Sequence, residues 1–222
     1  MGETFMLRFG KTVRGAVLAV LLSPLGACAL ADIGSGPAPS LYTLRAPAIE
    51  AAVAMPVAAQ IVVEDFSTPA AIDTTRIVFQ PNDNEIAYYA GARWSDRAPR
   101  MISSLLVETL SRSGQFPAVV GPGSTARMDY ALVGDIRSFS AHREEGAGLG
   151  QGVTKVRVAF YVRILRARDR SILASREFSA EAAAPGSGMA NVVIAYDAAL
   201  GAVLTEISGW AAQSIAATAA GS

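Results

Sequence analysis

The sequence predicts an α+β fold, a mainly antiparallel sheet with two helices packed on one face. Three observations predict it. Several runs of four to thirteen residues alternate apolar and polar positions, the mark of half-buried strands. Two longer stretches repeat their apolar residues at three- and four-residue steps, the mark of amphipathic helices. The order of these elements lacks the strand–helix alternation of a parallel βαβ sheet.

The chain has 222 residues, 51% hydrophobic and 17% charged, enough apolar material for a sizeable core. Before the strands begin, residues 1–14 carry Arg8, Lys11 and Arg14 against the single acid Glu3. An uninterrupted apolar run from Gly15 to Leu22 follows, far short of the roughly 20 residues a spanning helix needs. Ser23 and Pro24 end it, and small residues lead to Cys28. A basic region, a short apolar region and a small-residue site make a secretory signal peptide, residues 1–27. Removing it takes away three basic residues and one acid, leaving 16 basic and 18 acidic residues and a net charge of −2. That balance argues against a nucleic-acid partner, which needs a basic face, though not against a local basic patch.

Leu25-Gly26-Ala27-Cys28 resembles the bacterial lipobox. The resemblance implies cleavage before Cys28 and a diacylglycerol on its sulfur, with an N-acyl chain on the new amino terminus. An ordinary export signal cut near Ala27 or Ala29 is the alternative. Cys28 is the only cysteine, so the chain has no internal disulfide, and acylation would cap a thiol that oxidising compartments make troublesome. Ala29, not Asp, follows the cysteine. By the bacterial sorting rule this favours the outer membrane, with the domain facing the periplasm. Residues 28–40 then read as the lipidated cysteine and a Gly/Pro-rich flexible tether, 41–216 as the folded domain, and 217–222 as a disordered tail.

Within the domain, Ser40 to Arg45 reads as a first strand and Ala46 to Ala58 as an irregular connection. Gln60 to Phe66 is a β-rich core strand. Arg76–Gln80 and Glu85–Tyr89 flank the turn cluster Pro81 to Asn84 and form a hairpin. A helix starts near Pro99, with Ser95 or Asp96 as candidate caps, and runs to about Ser113 before Gly114 stops it. Met101, Ile102, Leu105, Leu106, Thr109 and Leu110 make its buried stripe. Phe116 to Val120 is a short strand. Asp129 to Phe139 is a long one, with Tyr130, Leu132 and Ile136 on one face and Asp135 and Arg137 on the other. Val153 to Leu165 alternates most cleanly: Val156, Val158, Phe160, Val162 and Ile164 against Lys155, Arg157, Tyr161 and Arg163. Ile172 to Ala180 pairs with it after a turn at Arg168 to Arg170. A final helix spans about Gly188 to Ala216, with Met189, Val193, Tyr196, Leu200, Val203, Ile207 and Trp210 as its stripe. Its opposite face is Ala, Gly, Ser and Thr with only Asp197 and Glu206 charged, which reads either as a solvated face or as a surface for a partner protein.

Chemistry-bearing residues are few. His142 is the only histidine, and it reads as a solvated strand-end residue rather than part of a nucleophile device. Glu144 and Glu145 nearby do not by themselves make a metal site. Gly146 to Gly152 is glycine-rich, but no Lys-Ser/Thr follows and it leads into a strand, so it reads as a hairpin loop rather than a phosphate cradle. Neither a catalytic site nor a metal site is expected. Tyr88, Tyr89, Arg93 and Trp94 place three aromatics and a guanidinium within seven residues, either as core packing with a stacked arginine or as an interaction surface.

The residues together resemble a family. Leu41 to Leu44 behind a lipobox, Ile61 to Val63, Arg76 to Phe79, Ile86 to Tyr89 with Arg93 and Trp94, and Asp129 to Ile136 before a strand pair and a final helix are similar to the auxiliary lipoproteins of ABC-type transporters. The resemblance spans about residues 40–215. It implies partners: a membrane reached through the lipid anchor, an ABC permease and ATPase, and a substrate-binding protein of the mammalian-cell-entry type. The implied cargo is phospholipid or another hydrophobic molecule, and the implied role is non-catalytic. Cys28 is the one chemically defined position the family carries over. A lipid-carrying module, with an apolar groove between sheet and helices, or an accessory lipoprotein of cell-wall synthesis or secretion are the alternatives.

Overall fold

The computed structural model describes residues 38–49, 56–144 and 152–220. Cys28, the cleavage site, most of the tether and nearly all of the glycine-rich loop lie outside the described residues. The elements in chain order are β1 (Ser40–Tyr42), β2 (Gln60–Val63), β3 (Arg76–Asn82), β4 (Glu85–Trp94), α1 (Ala98–Arg112), β5 (Ala118–Val120), β6 (Tyr130–Glu144), β7 (Val153–Arg166), β8 (Ile172–Ala183) and α2 (Met189–Ala220).

The eight strands form one sheet around β6. Along one edge β6 pairs antiparallel with β7, from Tyr130 opposite Arg166 to Glu144 opposite Val153. β8 then pairs antiparallel with β7. The other edge of β6 is divided. Its first residues pair parallel with β2, which carries β5 beyond it. Its last residues pair parallel with β3, which carries β4 and then β1. The sheet is mixed: β6–β7, β7–β8 and β3–β4 are antiparallel, whereas the short pairings β1–β4, β2–β5, β2–β6 and β3–β6 are parallel. Alternation of side chains reports which face is buried but carries no information on strand direction. Direction comes from the crossovers: the chain leaves β2, completes the β3–β4 hairpin and α1, and returns to lay β5 beside β2 in the same sense.

The predicted faces hold where the sheet is regular. Val156, Val158, Phe160, Val162 and Ile164 are all fully buried. β6 departs from strict alternation. A register shift between Ile136 and Ser138 inserts one residue, Arg137, so Ile136 and Phe139 are both buried although three positions apart. Gly134 sits in the same strand with the ring of Phe66 on top of it. A Cβ there would lie 2.4 Å from Phe66 Cε2. Phe66 in turn meets Phe160 edge-on at 5.8 Å between ring centres.

Both helices contribute to the core. α1 buries the whole predicted stripe, from Met101 to Leu110, and touches β2, β5 and α2. Neither Ser95 nor Asp96 caps it. Its N-cap is Arg97, without a side-chain cap, because two of the first donors need none: Pro99 has no N–H and Ala98 N–H donates to the Thr74 carbonyl. Gly114 follows the C-cap Ser113 at φ +64°, a left-handed position that favours glycine.

α2 runs along β7 and β8 and continues to Ala220, so residues 217–220, expected in the tail, belong to the helix. Tyr196, Leu200, Val203 and Ile207 are buried as expected, and Val192, Ala195, Ala199, Leu204, Ala211 and Ile215 widen the buried face. Met189–Thr218 is long and apolar enough to cross a membrane by length and composition, but half of that stretch is buried in the fold. The buried Tyr196 hydroxyl donates to the Val78 carbonyl at 3.0 Å, and its ring packs on Trp94 and Phe139 at 5.0 and 4.9 Å.

The segment after β1 crosses α2 as a strap. Leu44 is buried, Arg45 N–H donates to Asp197 Oδ1 at 2.9 Å, and Pro47 meets Gly201 where a Cβ would lie 3.4 Å away. Part of the thin Ala/Gly face is thus covered by the chain itself, while Ala190, Ile194, Ala198 and Ala202 remain exposed. Both charges on that face have partners, Asp197 in Arg45 N–H and Glu206 in Arg176.

The packing at Gly134 and at Asp197 can be probed by single substitutions. Gly134→Ala forces the Phe66 ring to move within a filled core and lowers unfolding free energy by about 1–3 kcal/mol in denaturant titration. Burial holds the Asp197 carboxyl above its ordinary value of 3.8, against the lowering effect of Arg45. A raised folded-state value means Asp197 favours folding when protonated, and this contribution is lost as pH rises past 3.8 through the folded-state value. Asp197→Asn keeps the acceptor for Arg45 N–H and removes the charge, so stability measured across that window falls less with pH than in the natural chain.

Candidate functional site

β4 carries the aromatic–arginine cluster, and the structure splits it. Between β3 and β4 the register shifts by three residues, from Val78 opposite Tyr88 to Arg76 opposite Arg93, with Gly91 at φ +67° inside the irregular stretch. Trp94 is 1% exposed and packs on Phe139 and Tyr196. It is a core residue, and the expectation that it joins an interaction surface is corrected. Its indole is the largest fully buried side chain in the chain's described residues, and that burial withdraws it from any partner.

Tyr89 is half-buried against Phe79, with ring centres 5.5 Å apart. Burial pushes its phenol above the ordinary value, and the charge of Arg143 draws it back. Tyr88 turns to different partners: its hydroxyl donates to the Ala71 carbonyl at 3.2 Å and the Arg76 guanidinium lies 3.5 Å from its ring centre. The stacked arginine is therefore Arg76, a residue distant in sequence, and not Arg93. Arg93 is exposed and stands directly opposite Arg76 across the strand pair. Like charges so placed cost a few tenths of a kcal/mol to about 1 kcal/mol, which the stacking of Arg76 on Tyr88 offsets. Tyr88, Tyr89 and Arg93 keep accessible surface but do not share one set of contacts.

His142 lies on β6 opposite Lys155, beside Gln80 of β3. Lys155 pairs with Glu144, and Arg157 on the same strand pairs with Glu181. Among the described residues, no three His, Cys, Asp or Glu side chains gather as a metal-binding group. The acid pair Glu64 and Asp65 is divided as well: Glu64 holds Arg170 in a two-pronged ion pair.

Two open depressions have polar linings. One, of about 800 Å³, lies at the start of α1 and includes Asp65, Ser67, Asp73, Arg97 and Arg100. Arg97 clasps Asp73 through Nε and Nη2, and Arg100 pairs with Asp96. The other, of about 740 Å³, lies where β6 begins and β7 ends, and carries Arg127, Asp129, Arg166 and Arg168. Sequence reading missed this second set because its members lie about forty residues apart, in the loop before β6 and at the end of β7 with its following turn. The pairing of Tyr130 with Arg166 is what joins them, and only a correct β6–β7 register could have found it.

The fold places the chain among known structures. Protein XCC0632 of Xanthomonas campestris, a member of the DUF330 family, is similar over 80% of this chain and 94% of its own, with 28% identity and a TM-score of 0.66. A second solved structure, at 16% identity, shares the fold with a TM-score of 0.57 over 80% of this chain and 99% of its own. Among curated relatives, protein bll6063 of Bradyrhizobium diazoefficiens is 26% identical over 179 residues, 80% of this chain. The chain spans 46% of that relative's length. The family model of the ABC-type transport auxiliary lipoprotein component matches residues 42–208, from the end of β1 through most of α2. This chain belongs to that family.

The split cluster gives a direct comparison. Trp94→Ala removes a fully buried indole and lowers unfolding free energy by about 3–5 kcal/mol, whereas Arg93→Ala stays within about 0.5 kcal/mol of the natural chain. Equal losses in thermal or denaturant unfolding would mean that Arg93 is as embedded as Trp94.

Proposed function

We propose that this chain is an outer-membrane-anchored periplasmic lipoprotein serving as the non-catalytic auxiliary component of an ABC/mammalian-cell-entry-type transporter, which moves phospholipid or another hydrophobic molecule across the envelope. The observation that carries this reading is the family match over residues 42–208, which takes in almost all of the described fold. The lipobox-like Leu25 to Cys28 supports the anchor, and Ala29 supports the outer membrane as its location. In this reading Cys28 carries a diacylglycerol and an N-acyl chain. Two or three acyl chains give a stable anchor where one gives only marginal binding.

The non-catalytic role is supported by what the functional side chains do. The sole histidine sits in a strand among charged neighbours, and the ionisable groups near it are paired with each other. The partners are an ABC permease and ATPase and a substrate-binding protein of the mammalian-cell-entry type, with no nucleic acid. Docking is assigned to surface left open by the fold, which includes Tyr88, Tyr89 and Arg93 on β4.

Two measurements test it. Cys28→Ala reduces incorporation of radiolabelled fatty acid to background and leaves an uncut or soluble product; unchanged labelling would remove the anchor from the reading. Full-length chain purified from detergent-solubilised envelopes co-purifies an ABC permease or ATPase and a mammalian-cell-entry protein. Enrichment of cell-wall or secretion components in their place overturns the transport assignment.

A further inference from the structure

We infer that the depression between the loop before β6 and the β7–β8 turn binds a phosphate-type oxyanion, such as the phosphate of a lipid headgroup or free phosphate. Arg127 enters it from the loop, Arg166 from the end of β7 and Arg168 from the turn, and Asp129 is the only carboxylate on the lining. The lining thus carries a formal charge of +2, in a protein whose formal net charge is zero.

Seven other described arginines are paired with carboxylates. Arg170, two residues beyond Arg168, is held by Glu64, and Arg97, Arg100, Arg112, Arg157, Arg163 and Arg176 each have a carboxylate within 4 Å. Among the described residues, Arg127 and Arg166 have no carboxylate within 4 Å, and Arg166 Nη1 donates to Ser171 Oγ at 3.3 Å. Arg168 has the Asp169 carboxylate at 3.7 Å, the longest of the ion pairs and an exposed one. Asp169 uses Oδ1 to accept from Ser171 N–H and Oγ and turns Oδ2 toward Arg168, so it offsets part of the positive charge from just outside the lining. Asp129 is occupied too, since its Oδ2 accepts the Gln60 N–H at 2.9 Å. The guanidinium donors in the depression therefore exceed the acceptors the protein supplies. Gathering like charges costs free energy that a bound anion relieves, and planar guanidinium forks match the oxygens of phosphate.

The frame around these arginines is fixed by backbone bonds. Asp129 N–H donates to the Gln60 carbonyl, Ala167 N–H to the Asp129 carbonyl and Arg166 N–H to the Ser171 carbonyl, at 3.0, 2.9 and 2.9 Å. Loop and turn are thereby tied to each other and to β2. Val62, Met128 and Tyr130 are also on the lining and offer apolar surface beside the charges, suited to the glycerol and first methylenes of an amphiphile. The site stands apart from the transport reading: it binds the oxyanion whichever envelope assembly the chain serves.

The test titrates full-length chain in neutral detergent with inorganic phosphate, with dihexanoyl phosphatidic acid and with dihexanoyl phosphatidylcholine, and reads binding by calorimetry at low and high salt. Arg127→Gln/Arg168→Gln is the main variant, because both side chains are exposed and neither has a structural partner closer than 3.7 Å. Arg127→Glu alone is the second. The expected result is saturable binding of phosphatidic acid, weakened at least tenfold in both variants and by added salt, and unchanged in Arg137→Gln, which lies outside the depression. Parallel binding of inorganic phosphate identifies a general oxyanion site; binding of phosphatidic acid without phosphate identifies a headgroup site that needs its apolar neighbours. No binding of either anion, or binding equal in natural chain and variants, overturns the inference.

Discussion

The length of β6 constrains the rest of the molecule. A strand of 15 residues finds a full-length antiparallel partner in β7, but neither β2 nor β3 is long enough to satisfy its other edge. Exposed backbone donors and acceptors in a sheet interior are costly, so the edge is divided, with β2 serving its start and β3 its end. Two small wings result, β2–β5 and β3–β4–β1. Between them β6 makes no regular pair apart from the isolated bridge of Asp135 with Ser67. Phe66 descends into that gap onto Gly134. The bulge at Arg137 turns the second half of the strand so that Phe139 still reaches Trp94 and Tyr196.

Much of this was legible in the sequence because burial leaves a periodic trace. The valines of β7, the α1 stripe and the Tyr196 to Ile207 stripe of α2 lie where their periods put them. What was not legible is whatever depends on pairing over long sequence distances. Strand direction is one case, and the alternating pattern of Gln60 to Val63 reads the same for a parallel or an antiparallel neighbour. The β4 cluster is another. Proximity in sequence placed Tyr88, Tyr89, Arg93 and Trp94 together, and the irregular register around Gly91 sent Trp94 to the core and gave Tyr88 a different arginine. The anionic-ligand depression is a third, since Arg127 and Arg166 become neighbours only through the β6–β7 register.

Ion pairs contribute little to holding this fold. Nearly all of the pairs join side chains that stay well exposed, where each contributes at most about 1 kcal/mol and salt screens it. Arg163 with Asp135 is the more sheltered exception, and Ser67 binds the same carboxylate. Apolar burial around Trp94, Phe139, Phe160, Phe178 and Tyr196 stabilises the fold far more, with each large side chain contributing about 1.5–3 kcal/mol.

The strap from Leu44 to Pro47 has a mechanical consequence. Tension applied ahead of Ser40 first meets the three-residue pairing of β1 with β4. The next attachments in series are buried Leu44, the Arg45–Asp197 hydrogen bond and the Pro47–Gly201 contact. A pull therefore peels β1 before it can load β6 or β7. β1 and the strap are thus the first attachments that a load entering ahead of Ser40 has to break.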